Sequence, residues 1–242
     1  MAVEESAVDS VRIVVPVRAV QRSNRKITQN KANRVGLIFS GYATFATENP
    51  AAHWWRYLTM KRVIETERLY LREFTPEDTP QIFELSSDLQ VMKYQPASER
   101  ENVSLERSAA TVEECIQYYS QKPGLGVWPT ILKEGDKFIG WTLLKNLENT
   151  EEIEIGYRYF PQFWGMGFCT EISLAVIAHG FDDVGLERIV GISRSQNKGS
   201  IRVFEKIGLK YEKNAHYYGM DVLYYALNRE CFGIGDVVPY RE

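Results

Sequence analysis

The sequence lacks the features that mark several classes of protein. Across its 242 residues, no apolar run approaches the roughly 18 residues that a membrane-spanning helix needs. Its three cysteines, Cys115, Cys169 and Cys231, are widely spaced, with no CxxC pair and no paired histidines nearby. We therefore expect free thiols in a reducing, cytoplasmic compartment, with no disulfide framework, no metal site and no membrane anchor.

A uniform charge is also missing, and the two signs are unevenly distributed along the chain. The formal net charge is −3; residues 1–60 carry 8 basic and 4 acidic side chains, whereas the remaining residues carry 21 and 28. The first segment is thus +4 and the rest is −7. An acidic main body argues against a nucleic-acid-binding surface there and favours a cationic substrate.

The first sixty residues lack a regular hydrophobic pattern. Residues 11–34 contain seven basic side chains and no acidic ones. Regular patterns begin near Met60, so we expect an extension over 1–59, disordered or loosely packed, a folded domain over 60–230 and a tail over 231–242. For the extension, a transit peptide, a misassigned start codon and electrostatic RNA binding by its basic segment are alternatives.

From Met60 onward the hydrophobic periods predict a mixed sheet covered by helices. The predicted order is β-α-α-β-β-β-α-β-α-β-β. The first helix is expected to begin at Thr75, followed by proline and acidic residues in its first turn. Its predicted apolar stripe consists of Ile82, Leu85, Leu89 and Met92. A buried helix is predicted over 170–181, and the last helix is expected to start at Asn197 and end at Gly208.

The segment QFWGMGF, residues 162–168, joins a predicted strand to the buried helix and contains two glycines one residue apart. Backbone N–H groups at such a helix start point outward, and together with the helix dipole they form an anion site. Without a Cβ at Gly165 or Gly167, a phosphate oxygen can approach the backbone closely. The spacing fits neither a P-loop nor a dinucleotide-binding loop. A tight turn that binds nothing is the alternative.

The motif Gln162-x-x-Gly165-x-Gly167 resembles the Q/R-x-x-G-x-G/A signature of the GNAT N-acetyltransferases. Four segments resemble the subgroup that contains the Rim enzymes, which acetylate ribosomal-protein N-termini. These segments are IETERLYLREFTPED, EIEIGYRYFPQFWGMGFCTEIS, GLERIVGI and NKGSIRVFEKIGLKYEK. The resemblance covers about residues 64–228. It implies the α/β GNAT fold, with a mixed, mostly antiparallel seven-stranded sheet flanked by about four helices.

The activity implied by this resemblance is acetyl-CoA-dependent N-acetylation, with acetyl-CoA as co-substrate and no metal. The acceptor would be a primary amine, either a protein N-terminal α-amine or a small-molecule amine, which attacks directly in a ternary complex. A CoA-binding sensor or scaffold without turnover is the alternative reading. A homodimer is left open.

Cofactor-binding positions also follow from the resemblance. In that family the loop binds the pyrophosphate of acetyl-CoA through backbone amides. The preceding strand parts from its neighbour and hydrogen-bonds the pantetheine. The residues assigned to the cofactor in this way are Gly156, Tyr157, Tyr159, Gln162, Phe163, Trp164, Gly165, Met166, Gly167, Phe168 and Asn197.

A general base is expected on the strand before the loop. Strand alternation places Glu152 and Glu154 on one face. The resemblance implies a glutamate on this strand as the base, and Glu154 is the better match, with Glu152 as the second candidate. A solvated acidic edge is the alternative for both.

The general acid has several candidates. The resemblance implies that Ser200, three residues after Asn197, hydrogen-bonds the sulfur and protonates it. Many superfamily members carry a tyrosine acid in this helix, at the position where this sequence has Phe204. The alternatives are Tyr217 or Tyr218 as the acid, or no acid, because a CoA thiol with a pKa near 8.5 is a tolerable leaving group.

Overall fold

The computed structural model describes residues 62–233. The strands are β1 (Arg62–Glu65), β2 (Leu69–Arg72), β3 (Gly126–Leu132), β4 (Lys137–Asn146), β5 (Ile153–Tyr159), β6 (Arg188–Ser193), β7 (Lys210–Tyr217) and β8 (Met220–Asn228). The α-helices are α1 (Thr79–Ser87), α2 (Leu89–Met92), α3 (Ala97–Glu101), α4 (Leu105–Gln121), α5 (Phe168–Asp182) and α6 (Lys198–Lys206). The predicted extension over 1–59, and the tail beyond residue 233, lie outside the described residues.

The strands form a single sheet with the order β1-β2-β3-β4-β5-β6-β8-β7. Every neighbouring pair is antiparallel except β5 and β6, which are parallel. The mixed, mostly antiparallel α/β fold is confirmed. The described residues contain eight strands rather than the seven expected, because the short strand β1 pairs with β2 at the sheet edge.

The first predicted helix is divided into two. Asp88 has an extended backbone, and its carboxylate accepts hydrogen bonds from the backbone N–H groups of Gln90 and Val91, so it ends α1 and caps α2. Leu89 is consequently 87% exposed and does not belong to the apolar stripe, while Ile82 and Leu85 are buried as predicted. This break and the short helix α3 raise the number of α-helices above the four expected.

The core lies between the sheet and helix α5. The side chains of Ile172, Val176, Ile177 and Phe181 on this helix are fully buried. Gly180 lets the helix approach the sheet, since an added Cβ would lie 2.9 Å from Ile189 Cδ1. Each fully buried aliphatic or aromatic side chain contributes about 1.5–3 kcal/mol, so this face fixes helix α5 and the loop that precedes it.

Strands β5 and β6 separate shortly after they meet. Within residues 62–233, the two strands pair at one position, where Glu154 lies opposite Val190. Strand β5 continues to Tyr159 with hydrogen bonds to β4, while β6 continues to Ser193 with hydrogen bonds to β8. The sheet therefore opens into a wedge beyond Glu154.

No helix within residues 62–233 combines the length and apolar character needed to cross a bilayer. The three cysteines are free thiols, as expected. In the same part of the chain, His, Cys, Asp and Glu side chains do not gather in groups of three or more that could hold a metal ion.

Candidate active site

A cleft of about 1020 Å³ begins where β5 and β6 separate. Three cross-strand pairs of β4 and β5 form its floor on one face of the sheet: Trp141 with Arg158, Leu143 with Gly156, and Lys145 with Glu154. One wall comes from the segment that holds the first four helices. The opposite wall comes from the end of β6, the start of α6 and the β7–β8 turn. We call this space the central cleft.

Glu154 is the acidic group placed on the cleft floor by strand β5. It is buried, and the Tyr218 hydroxyl donates a hydrogen bond of 2.9 Å to its Oε1. Burial raises the pKa of Glu154 to about 7, against the opposing effect of the Tyr218 hydrogen bond, which favours the charged form. Near pH 7 this carboxyl is therefore present in both forms, which is the condition for an efficient general base.

Tyr218 is held in place by the turn between β7 and β8. Its backbone has a φ of +52°, and Gly219 follows with a φ of +69°. The backbone N–H of Glu148 donates to the Tyr218 hydroxyl at 3.2 Å, and the backbone N–H of Tyr218 donates to the Glu148 carboxylate. Burial, followed by the Glu154 charge, raises the pKa of Tyr218, so its hydroxyl stays protonated and donates to Glu154. In this structure that proton is donated to Glu154, and an acid role for Tyr218 stays a prediction.

Glu152 is not brought to the central cleft. It lies just before β5, accepts a hydrogen bond of 2.5 Å from the Tyr224 hydroxyl, and has Arg188 Nε 3.7 Å from its Oε1. Tyr217 also lies away from the residues that line the cleft, and its ring stacks on Tyr224. Of the two glutamates predicted for the base, the structure therefore places only Glu154 in the central cleft.

Asn197 and Ser200 lie together at the start of helix α6, on the cleft wall. Asn197 caps the helix by accepting from the backbone N–H of Ser200 at 3.2 Å, and its side-chain amide donates to Ser200 Oγ at 3.0 Å. The Tyr157 hydroxyl donates to the backbone carbonyl of Ser200 at 3.1 Å. The Ser200 hydroxyl proton is left for another acceptor. Phe204 also lines the cleft and cannot donate a proton.

The glycine loop lies at the other end of strand β5 and does not line the central cleft. Gly165 and Gly167 have φ values of +76° and +78°, which only glycine adopts without cost. An added Cβ at Gly165 would meet nothing within 4 Å, so the loop surface there is open. Gly167 is the N-cap of α5, and no side chain in the described part of the chain caps the helix. The N–H groups of residues 168–170 therefore have no partner within the helix.

Two side chains of the loop belong to the hydrophobic core. Phe163 and Phe168 are buried and belong to the main hydrophobic cluster. Trp164 is half-exposed and its indole N–H donates to the Tyr159 carbonyl at 2.8 Å. The Tyr159 side chain is buried, and its hydroxyl lies 2.5 Å from Thr142 Oγ1. The predicted cofactor contacts of Gln162–Phe168 are thus available only through their backbone, apart from the exposed Gln162 and the half-exposed Trp164 and Met166.

A charged contact that the sequence does not reveal fixes this loop. Arg68, in the turn between β1 and β2, donates to the Met166 carbonyl at 3.1 Å and pairs with Glu171 at 2.7 Å. Its guanidinium also lies 4.6 Å from the centre of the Phe168 ring. Thr66 donates to the same Glu171 carboxylate at 2.6 Å. The two segments are about a hundred residues apart, and no local pattern signals that they meet.

Comparisons with known proteins identify the family and the fold. The family model described as "Acetyltransferase (GNAT) domain" matches residues 68–210. A curated relative, named as the uncharacterized N-acetyltransferase YnaD of Bacillus subtilis, is 30% identical over 151 residues, covering 62% of this chain and 83% of that protein. The family match therefore includes strands β2 to β6 and the glycine loop.

Solved structures show the same fold. A GNAT-family acetyltransferase from Bacillus anthracis is 28% identical, with a TM-score of 0.58, covering 71% of this chain and 98% of that one. The ribosomal L7/L12 α-N-protein acetyltransferase RimL, solved with coenzyme A, is 19% identical, with a TM-score of 0.60, covering 69% of this chain and 98% of that one. At that identity the second comparison supports the fold alone.

Proposed function

The chain belongs to the GNAT acetyltransferase family, and from this premise we propose that it transfers the acetyl group of acetyl-CoA to a primary amine, with Glu154 as the general base. One observation carries the assignment of the base. Glu154 is a buried carboxyl with a pKa of about 7, on the cleft floor, at the position where β5 and β6 separate. RimL, a protein of the same fold, was solved with coenzyme A, which supports acetyl-CoA as the donor.

The residues present fit the two parts of the donor that require protein contacts. The open backbone at Gly165 and the uncapped N–H groups of residues 168–170 suit the pyrophosphate, because they supply donors and a favourable helix dipole. Within residues 62–233, strand β5 has no hydrogen-bonded neighbour on its β6 side beyond Glu154, so Gly156 and Tyr157 can offer backbone groups to the pantetheine. The donor supplies an activated acetyl thioester when bound.

Glu154 would remove a proton from the attacking amine. Its Oε1 accepts from Tyr218, while Oε2 makes no hydrogen bond within residues 62–233 and is free to accept the proton. The amine nitrogen forms a bond to the acetyl carbon, the carbon–sulfur bond breaks, and the electron pair leaves with the sulfur. An α-amine with a pKa of about 8 is roughly a tenth neutral at pH 7, whereas a lysine near 10.4 costs about 3 kcal/mol more to deprotonate.

Ser200 would protonate the departing sulfur. Its Oγ accepts from Asn197, so the hydroxyl proton points to another acceptor, and the residue lies on the cleft wall. Phe204 occupies the position where a tyrosine acid is common in the family. A thiol pKa near 8.5 keeps the contribution of this proton modest.

Thiol release from acetyl-CoA tests the proposal with a panel of primary amines that includes peptides with free N-termini, ω-amino acids, alkylamines and diamines. We expect amine-dependent release by the full-length protein and a loss of about 100-fold or more in the Glu154→Gln variant, the usual contribution of a general base. If calorimetry showed binding of acetyl-CoA but no amine of the panel caused thiol release, the result would contradict the proposal and support a sensor or scaffold.

A further inference from the structure

Arg158 occupies the end of the cleft floor opposite Glu154. It lies on the same strand and the same face, four residues further along β5, and lines the central cleft. Its side chain is only 10% exposed. A buried guanidinium keeps its charge at any physiological pH and therefore requires partners.

The partners that Arg158 has do not satisfy it. Nη2 donates to Glu99 Oε2 at 2.8 Å, and the guanidinium carbon lies 5.0 Å from the centre of the Trp141 ring. Nε is buried and makes no hydrogen bond within the described part of the chain. A guanidinium carries five N–H donors in a fixed fork, and a buried donor without an acceptor is unfavourable. The site is therefore built for a further acceptor of hydrogen bonds.

From this geometry we propose that Arg158 binds a carboxylate of the acceptor, so that the substrate is an amine that also carries a carboxylate group. The inference rests on the proposed function, since it takes Glu154 as the point where the amine reacts. Four residues of strand separate the two Cα atoms by about 13 Å. Both side chains reach into the cleft, which leaves room for a short chain of several bonds between amine and carboxylate.

The floor between the two charged ends is apolar. Leu143 and the bare backbone of Gly156 form it, and an added Cβ at Gly156 would lie 3.2 Å from Leu143 Cγ. Val127 continues this surface on strand β3. Along the floor, a carboxyl is followed by an apolar surface and then by a guanidinium. These three complement, in the same order, an amine, a methylene chain and a carboxylate.

The charge of the cleft differs from that of the domain around it. Four basic and three acidic side chains line the cleft, although residues 61–242 as a whole are −7. The preference for a cationic substrate, inferred from the whole-chain charge, is therefore not supported by the cleft itself. A substrate with one positive amine and one negative carboxylate meets a favourable partner at each end.

Glu99 acts as the internal stand-in for the substrate carboxylate. It lies on the five-residue helix α3, and its side chain is 46% exposed, so it can turn into solvent at little cost. Its bond to Nη2 shows that a carboxylate fits beside the guanidinium. If Glu99 competes with substrate for Arg158, its removal strengthens substrate binding, whereas a purely structural role predicts weaker or unchanged binding.

Binding to the full-length protein loaded with CoA tests this inference without requiring turnover. The probes are 6-aminohexanoate and hexylamine, which match in length and differ in the carboxylate, with 1,6-diaminohexane as the cationic comparison. We expect calorimetry to show at least about tenfold tighter binding of 6-aminohexanoate, the usual effect of a hydrogen bond to a charged group. Equal binding of the three, or tighter binding of either amine without a carboxylate, would overturn the inference.

Variants separate the role of Arg158 from general charge. Arg158→Gln should abolish the preference and Arg158→Lys should retain part of it. The control Arg107→Gln removes an equal charge from a cleft-lining residue whose side chain is 57% exposed and should keep the preference. Glu99→Gln should tighten 6-aminohexanoate binding several-fold.

Thiol release distinguishes the two proposals. Thiol release from acetyl-CoA with hexylamine as the acceptor, but not with 6-aminohexanoate, would support the proposed transferase and contradict the carboxylate site. Selective binding of 6-aminohexanoate, with no thiol release from acetyl-CoA in the presence of any amine, would support the carboxylate site and contradict the transferase. Loss of binding in Glu99→Gln would show that the Arg158–Glu99 pair is structural and would also overturn the inference.

Discussion

The Tyr218 hydroxyl donates a 2.9 Å hydrogen bond to Glu154 Oε1, joining the β7–β8 turn to strand β5 across 64 residues of sequence. Tyr218 is itself held by Glu148 through two hydrogen bonds and has a positive φ. A residue fixed in this way determines where one oxygen of Glu154 points. Tyr218 is therefore a positioning residue for the proposed base, and it counteracts the effect of burial on the pKa of Glu154.

Replacing Tyr218 with Phe should move the acidic limb of the pH profile. The Tyr218 hydroxyl stabilises the charged form of Glu154, and Lys145 acts in the same direction, whereas burial, Glu148 and Glu99 favour the neutral form. Without the hydroxyl, the pKa of Glu154 rises further above its ordinary value. We expect the acidic limb of kcat/KM to shift to higher pH and kcat/KM at pH 7 to fall about tenfold. An unmoved limb would contradict the assignment, and Tyr217→Phe, outside the cleft, is the matched control.

Glu154→Gln should stabilise the folded protein at neutral pH while removing activity. The folded-state pKa of about 7 lies above the ordinary value of 4.5. The folded state therefore binds more protons than the unfolded state between these values, and stability falls as pH rises from about 4.5 to 7. The full difference is on the order of 3 kcal/mol above pH 7.

Denaturant unfolding at pH 4 and pH 8 measures this effect. The free energy of unfolding of the variant should exceed that of the natural sequence at pH 8 by up to about 3 kcal/mol, and the two should converge at pH 4. A gap of the same size at both pH values would show that Glu154 is not a buried group that titrates near neutrality.

Gly165→Ala should lower the affinity for acetyl-CoA more than it lowers stability. The added Cβ meets no atom of the described residues within 4 Å. The free energy of unfolding should therefore fall only by the cost of a positive φ in alanine, about 1–2 kcal/mol. Gly185 has a φ of +79° and equally open surroundings in the turn after α5, which makes Gly185→Ala a matched control. Calorimetry should show at least about tenfold weaker binding for the first variant only. Equal affinities for the two variants would remove the loop from the proposed cofactor site.

Asp78→Asn should destabilise the domain strongly. Arg72 makes two hydrogen bonds to the Asp78 carboxylate, at 2.7 and 2.6 Å, and both side chains are almost completely buried. Breaking such a pair leaves an unpaired buried charge, which costs about 3–5 kcal/mol.

The control is an ion pair of the same type at the surface. Glu114→Gln breaks the ion pair between Glu114 and Arg107, and both of these side chains are more than half exposed. The free energy of unfolding should therefore change by less than about 1 kcal/mol. Similar losses for the two variants in urea unfolding would show that the Arg72–Asp78 pair is not buried in solution.

Local patterns were sufficient for much of the fold. The capping residue Asn197 and the glycines at 165 and 167 indicate their elements correctly, because each depends on neighbours in the chain. Strand β1 was missed because four residues at a sheet edge carry little periodicity, and their burial is only partial. The helix expected from Thr75 to Met92 was predicted as continuous because Asp88 ends it through a side-chain contact rather than through glycine or proline.

The sequence alone determined the mixed α/β class, the glycine loop at a helix start and the strand that carries Glu154, since side-chain period and backbone preference over a few residues indicate each of these elements. Only the tertiary structure separated Glu154, buried beside Tyr218, from Glu152, paired with Tyr224 and Arg188. It alone also brought Arg68 to the loop and Arg158 to the cleft floor opposite the base. The reason is physical: burial and charge partners depend on strand register and on segments up to a hundred residues apart, which no local pattern records.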